Sequence, residues 1–125
     1  MVRDGVSRWS PAPSAFPLYL PYPMAQLLAL YHPPADPAAF DRYYYETHVP
    51  IAKKVPGLQS YVTNAGPVNA LAGSPAPYLI AELSFDSVAD LQSALSSAEG
   101  QAAAGDLSNF AQAGVTLLVF ETKNA

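Results

Sequence analysis

His48 is the residue of this chain best suited to acid–base chemistry, because its surroundings place it on a helix face among aromatic side chains. It follows Phe40 and Tyr44 at four-residue spacing, so in a helix the three side chains share one face. A histidine at the C-terminal end of a helix is favoured as imidazolium, which predicts a pKa raised toward or above neutrality. Near the mouth of a cavity it would act as a general acid or base. The alternative is a structural imidazole satisfied by a carbonyl or a tyrosine hydroxyl.

The composition limits which other kinds of chemistry and partner are expected. The chain has 125 residues, enough for one compact domain, and no cysteine, which excludes disulfides and thiolate sites. The only histidines are His32 and His48, so a transition-metal site would need carboxylates, and we expect no cofactor. The net charge of -4 and the lack of a basic stripe argue against nucleic acid. Only 13% of residues are charged, which favours an apolar surface covered by a second copy, in a homodimer.

Residues 1–23 differ in composition from the rest, because prolines interrupt their aromatic and aliphatic residues. The pattern predicts a proline-rich extension of extended chain, which is either an upstream addition or an arm that docks on the domain or a second subunit. It does not have the continuous apolar core of a signal peptide, and no run of eighteen apolar residues predicts a membrane span. We therefore expect a cytoplasmic protein with no membrane partner, whose folded domain covers residues 24–125.

From residue 25 onward the pattern alternates between strands and helices. Strands are predicted at residues 26–31, 58–63, 78–85 and 115–120, with a long loop over 64–77. Asp36 with Pro37 predicts a helix start, and Pro50 predicts a break or kink after about His48 with Val49 outside the α region. Asp86 is expected to cap a second helix. Residues 99–105 are expected to be flexible, followed by a short helix over 106–112.

This order of elements predicts a ferredoxin-like βαββαβ fold of the α+β class, with a four-stranded antiparallel sheet covered by helices on one face only. The third strand separates into two faces. Leu79, Ala81, Leu83 and Phe85 form one apolar face, and Tyr78, Ile80, Glu82 and Ser84 form a mixed one. The mixed face with its central carboxylate, Glu82, suits a semi-enclosed cavity, although a surface that faces a partner would have the same pattern.

The segment from Phe40 to Leu58 carries a more specific pattern, Phe-Asp-x-Tyr-Tyr-x-x-x-His-x-Pro followed by Pro-Gly-Leu. This pattern resembles the EthD family, named for ethyl tert-butyl ether degradation, and the resemblance extends over residues 24–125. It implies a dimeric α+β barrel, in which two ferredoxin-like sheets pack face to face. Related barrels include muconolactone isomerases, polyketide cyclases, cofactor-free monooxygenases and haem-degrading enzymes. In them a histidine at the position of His48 is the recurrent polar group of the pocket.

The first functional hypothesis is a small cofactor-independent enzyme that acts on a hydrophobic cyclic or aromatic compound of the xenobiotic or polyketide type. It would be a lyase, an isomerase or a monooxygenase-like enzyme. His48 would move a proton, the substrate would be bound by Tyr31, Tyr44, Tyr61 and Glu82, and the cavity would measure a few hundred cubic ångströms. The alternative is a ligand-binding or accessory protein of a degradation pathway without chemistry of its own. Haem binding through His32 or His48 is a third, weakly supported alternative.

Overall fold

The computed structural model describes residues 24–125, so the predictions for residues 1–23 lie outside the described part of the chain. Within it, four strands and four α-helices alternate in the predicted order. The strands are β1 (Ala25–Tyr31), β2 (Ser60–Thr63), β3 (Leu79–Phe85) and β4 (Val115–Glu121). The helices are α1 (Pro37–Tyr43), α2 (Val49–Ala52), α3 (Val88–Ser96) and α4 (Ala98–Phe110), with a π-helical turn (Tyr44–His48) between the first two. The sheet is antiparallel with strand order β2-β3-β1-β4, which confirms the ferredoxin-like fold.

The register of the sheet divides its side chains between a covered and an open face. Tyr31 pairs with Leu79, and Ala29 pairs with Ala81; all four are buried in the core beneath the helices. This confirms the predicted covered face of β3. Glu82 follows Ala81, so its side chain points to the other side of the sheet; it lies opposite Leu28 of β1 and is exposed on the open face.

The first helix begins as predicted but does not end at Pro50. Asp36 caps α1 by accepting a hydrogen bond from the N–H of Ala39 at 3.1 Å. The helix is disturbed near the place where the sequence predicted a break or kink, because the chain passes through the π-helical turn into α2 without breaking. The expectation that Val49 leaves the α region is wrong, since it has φ -56° and ψ -47°. In that turn the N–H of Val49 donates to the carbonyl of Tyr44, five residues back. The wider turn accommodates a proline that has no N–H to donate.

The second helical region also differs from its prediction. Ser87, not Asp86, caps α3, since its hydroxyl accepts from the N–H of Asp90 at 3.0 Å. The segment expected to be flexible is instead part of α4, which Ser97 caps by accepting from the N–H of Gly100. Alanine has the highest helix propensity of any residue, and the alanines here outweigh the glycines. Gly100 lies so close to the backbone of α3 that a side chain there would overlap Ala94 and Leu95.

Candidate active site

The π-helical turn places Tyr44 and His48 against the core of the domain. Tyr44 is fully buried and stacks on Phe40 with ring centroids 5.9 Å apart. The His48 ring lies 5.4 Å from Tyr44 and 4.7 Å from Phe110 of α4, and only 5% of the residue is exposed. Aromatic rings on two sides therefore hold the imidazole in one orientation.

A carboxylate on α4 holds one nitrogen of that imidazole. His48 Nδ1 lies 2.9 Å from Oδ2 of Asp106, and both side chains are buried. The other carboxylate oxygen accepts two further hydrogen bonds, from the Tyr43 hydroxyl at 2.6 Å and the Asn109 amide at 2.9 Å. Asp106 is thereby fixed by three donors, as a buried carboxylate requires.

These contacts set the charge of the pair. Burial alone would raise the pKa of Asp106, but the hydrogen bonds from Tyr43, Asn109 and His48 outweigh it and lower that pKa below its ordinary value. The carboxylate is therefore ionised at neutral pH and accepts a hydrogen bond from Nδ1–H, which leaves Nε2 as the unprotonated nitrogen. Burial lowers the pKa of His48 more than Asp106 raises it. The predicted upward shift was wrong, because the helix continues past His48 into α2 and burial outweighs the attraction of Asp106, so the neutral imidazole is favoured.

The imidazole opens onto a cavity of about 90 Å³ between the sheet and the helices. His48 lines this cavity and Asp106 does not, so Nε2 is the nitrogen that a bound molecule would meet. Nε2 makes no hydrogen bond to another residue of 24–125. Two lining residues, Leu95 of α3 and Leu117 of β4, are 42% and 48% exposed, and from this exposure we place the mouth of the cavity between them. The cavity is smaller than the few hundred cubic ångströms expected from the sequence.

Three tyrosines reach the same cavity as His48. Tyr31 and Tyr61 extend from the covered face of the sheet, and Tyr44 comes from the π-helical turn. The hydroxyls of Tyr44 and Tyr61 lie 2.6 Å apart. Burial is the largest cause that raises the pKa of each of the three phenols, so all three are neutral, proton-bearing hydroxyls at physiological pH.

The structure thus brings together four of the five residues that the sequence suggested, namely His48, Tyr31, Tyr44 and Tyr61. Glu82 is separated from them by the thickness of the sheet, on the opposite face. His32 is exposed and lies against Gly114, away from the cavity lining. Asp106 was missed as a partner of the histidine. The sequence held one signal of this role: Asp106 lies three residues after Ala103 and four before Phe110, so in a helix it shares the face of these two inward-facing residues.

Two structural properties bear on metals and membranes. Among residues 24–125, no three histidine or carboxylate side chains lie close enough together to hold a metal ion. No helix in that range has the length and apolar character needed to cross a membrane.

Known proteins that resemble this chain share its fold and parts of its sequence. An uncharacterized 11.0 kDa protein of Rhodococcus erythropolis, from the thcB-thcC intergenic region, is 43% identical over 96 residues, which are 76% of this chain and 91% of that protein. An ethyl tert-butyl ether degradation (EthD) family protein of Bacillus halodurans superimposes with a TM-score of 0.72 at 36% identity. That match covers 80% of this chain and 99% of the Bacillus protein.

More distant structures share the fold alone. A dimeric ferredoxin-like protein of unknown function from Thermobifida fusca has a TM-score of 0.60 at 13% identity, covering 87% of this chain and 100% of its own. The hydroxynitrile lyase of Passiflora edulis has a TM-score of 0.63, also at 13% identity, covering 82% and 95%.

The family model of the EthD domain matches residues 32–114, about two thirds of the chain. This range contains the π-helical turn, the histidine and its carboxylate partner on α4. The match, together with the two relatives above 30% identity, shows that the chain belongs to the EthD family.

Proposed function

We propose that this protein is a small enzyme in which His48 acts as a general base on a small, uncharged organic molecule bound in the cavity. The observation that carries the proposal is the hydrogen bond between His48 Nδ1 and Asp106 Oδ2, which leaves Nε2 available on the cavity side. A histidine oriented by a carboxylate is a recurrent arrangement for proton transfer.

The surroundings of the pair suit a base better than an acid. Because burial lowers the pKa of His48, the imidazole is neutral before the reaction and accepts a proton at Nε2. The imidazolium that forms then lies beside the ionised carboxylate of Asp106, whose attraction is strong in a site shielded from water. Asp106 therefore positions the ring and stabilises its charged form, without itself taking up the proton.

The cavity lining limits the molecule that can bind. Among residues 24–125, no ionisable group other than His48 and the tyrosine phenols lines it, so a charged ligand would lose hydration without gaining a counter-ion from these residues. A cavity of about 150 Å³ holds benzene, whereas this one measures about 90 Å³. The reacting part of the substrate is therefore a few heavy atoms in size. A ring, as in the predicted cyclic or aromatic substrates, would extend through the mouth between Leu95 and Leu117.

A reaction that needs only a base in an apolar site tests this proposal. In 5-nitrobenzisoxazole a base removes the proton on the carbon next to nitrogen; the nitrogen–oxygen bond breaks and a coloured cyanonitrophenolate is released. The wild-type protein is expected to accelerate this opening with saturation. His48→Gln should lower kcat/KM by about 10²-fold or more. The matched control is His32→Gln, which changes an exposed histidine outside the cavity and should leave the rate unchanged.

The result that contradicts an enzymatic role is equally clear. If the wild-type protein and His48→Gln open the probe at the same rate, His48 is not a base. If calorimetry then shows that both bind the probe equally well, the evidence favours the ligand-binding alternative. Circular dichroism of each variant separates the loss of chemistry from the loss of the fold.

We also propose that two copies associate through β4. This edge strand exposes four consecutive large apolar residues, each 43–48% exposed, namely Leu117, Leu118, Val119 and Phe120. An apolar edge strand in water is a site for association. The Thermobifida protein of the same fold is described as dimeric, which supports a homodimer here. Since Leu117 also borders the cavity mouth, the association would narrow access to His48.

A further inference from the structure

Tyr31 has a hydroxyl that the fold itself does not use. The residue is only 2% exposed and lines the cavity, yet its hydroxyl makes no hydrogen bond to another residue of 24–125. It is also not among the buried polar atoms that are sealed from solvent without a partner. The hydroxyl therefore opens onto the cavity, where a bound molecule can accept its proton.

Tyr61 has a second free proton of the same kind. Its hydroxyl lies 2.6 Å from that of Tyr44, which is fully buried and has no other acceptor within residues 24–125. If Tyr61 donated, the Tyr44 proton would be buried without an acceptor, so Tyr44 donates and Tyr61 accepts. A hydroxyl that accepts a hydrogen bond becomes a better donor. The remaining Tyr61 proton is therefore available to the cavity.

The two free hydroxyls lie on the sheet side of the cavity and His48 lies on the helix side. Tyr31 belongs to β1 and Tyr61 to β2, and both are on the covered face. Tyr31 packs 5.5 Å from Tyr44 and 5.6 Å from Phe110, the same two rings that hold the imidazole. A molecule between sheet and helix would thus meet hydroxyl donors on one side and the base on the other.

We propose that Tyr31 and Tyr61 bind an oxygen atom of the substrate, and that the substrate is a neutral carbonyl compound with a hydrogen on the carbon next to the carbonyl. This inference rests on the proposed function of His48. A carboxylate is disfavoured because no lysine or arginine of the described range, 24–125, lines the cavity, and a hydrocarbon would leave both hydroxyl protons unpaired. A carbonyl oxygen has two lone pairs and accepts both hydrogen bonds.

The reaction step is a proton transfer that needs no other reactant. Nε2 of His48 takes the proton from the carbon next to the carbonyl. The electron pair of the broken carbon–hydrogen bond forms a carbon–carbon double bond, and the carbonyl π pair moves onto oxygen. The two hydroxyls stabilise the resulting enolate oxygen, as donors aimed at a developing charge do. Return of a proton from Nε2 to carbon regenerates the carbonyl compound or its isomer.

Hydrogen–deuterium exchange of butanone tests this step directly, since an enolate formed in D₂O takes up deuterium once the proton on Nε2 has exchanged with the solvent. Proton NMR follows the loss of the signals next to the carbonyl. The wild-type protein is expected to accelerate the exchange with saturation. Tyr31→Phe and Tyr61→Phe should each lower kcat/KM by about 10²-fold. The control Tyr45→Phe should leave the exchange unchanged, because that hydroxyl bonds Thr63 at 2.9 Å outside the cavity lining.

The nitrobenzisoxazole reaction separates this inference from the proposed function, because it needs the base but no donor to a carbonyl oxygen. We expect the two phenylalanine variants to lose far more of the butanone exchange than of the nitrobenzisoxazole opening, because the charge that develops on oxygen in the opening is spread over the nitrophenolate ring and depends less on hydrogen-bond donors. If the wild-type protein opens nitrobenzisoxazole but does not exchange butanone, or exchanges it equally well without the hydroxyls, the carbonyl inference is wrong and the base remains. If neither reaction depends on His48, both proposals fail.

Discussion

Replacing Asp106 with asparagine should reverse the tautomer of His48. The carboxylate accepts three hydrogen bonds, one from His48 on Oδ2 and two from Tyr43 and Asn109 on Oδ1. An asparagine has only one side-chain oxygen, and it satisfies more donors when that oxygen faces Tyr43 and Asn109. Its amide N–H would then face Nδ1, which must accept, and the imidazole proton moves to Nε2. The nitrogen on the cavity side would no longer be a base.

The size of the effect follows from what is lost. Each hydrogen bond to an ionised group contributes about 1.5–3 kcal/mol, and the substitution weakens all of them, so we expect a loss of about 2–3 kcal/mol in the free energy of unfolding. The larger effect is on the rate. The wrong tautomer of a carboxylate-oriented histidine lowers turnover by up to about 10⁴-fold in serine proteases. For this less elaborate site we expect a loss of about 10²–10⁴-fold in kcat/KM.

Two measurements on the same variant check the prediction. The opening of 5-nitrobenzisoxazole gives kcat/KM, and nitrogen-15 NMR of the imidazole shows which ring nitrogen carries the proton. Asp41→Asn is the matched control, because the Asp41 carboxylate also accepts from a tyrosine hydroxyl, Tyr78 at 2.9 Å, but is exposed and outside the His48 cavity. An Asp106→Asn protein that keeps its rate within twofold and its proton on Nδ1 would refute the reasoning.

Three further predictions concern stability and assembly. Burial holds the pKa of His48 below its unfolded value near 6.5, so the unfolded chain binds the extra proton first as the pH falls. The free energy of unfolding should therefore fall as the pH drops below about 6.5. In urea titrations, His48→Gln should make that fall less steep. Gly100→Ala should cost about 3 kcal/mol in the same assay, since its Cβ would lie 2.9 Å from the Cα of Leu95, whereas Gly105→Ala, with open space around it, should gain about 0.5–1 kcal/mol. Leu118→Asp on the exposed edge strand should convert a dimer to monomers in sedimentation velocity. The control Leu71→Asp, which changes a fully exposed loop residue, should leave the dimer intact. A monomeric wild-type protein would contradict the proposed association.

Local signals in the sequence predicted the parts of the fold that local interactions determine. The Asp36 cap, the alternation along β3 and the order of elements each depend on residues within a few positions of one another. The π-helical turn was not predicted, because Pro50 forbids one hydrogen bond but does not dictate how the helix reorganises around it. The outcome depends on packing of Tyr44 and His48 against Phe110, which lies in a distant segment.

The candidate site required pairings over long separations, and those were predicted only in part. The pattern around His48 indicated the histidine and its tyrosines. Its partner Asp106 is 58 residues away and resembled the start of a short helix. Local spacing cannot reveal which residue of α4 meets the π-helical turn. The position of Glu82 relative to Tyr61 likewise depends on strand register, in which a shift of one residue moves a side chain to the other face.

Asp106 holds His48 as a neutral imidazole with its proton on Nδ1 and its lone pair at Nε2, and the proposed chemistry depends on this state. Nitrogen-15 NMR of the wild-type protein at neutral pH measures this directly, with His48→Gln assigning the signals. We expect a protonated Nδ1 and an unprotonated Nε2 at pH 7, with a titration midpoint below 6.5, the ordinary value for histidine. A proton on Nε2 in the neutral ring, or an imidazolium that persists above pH 7, would contradict this expectation.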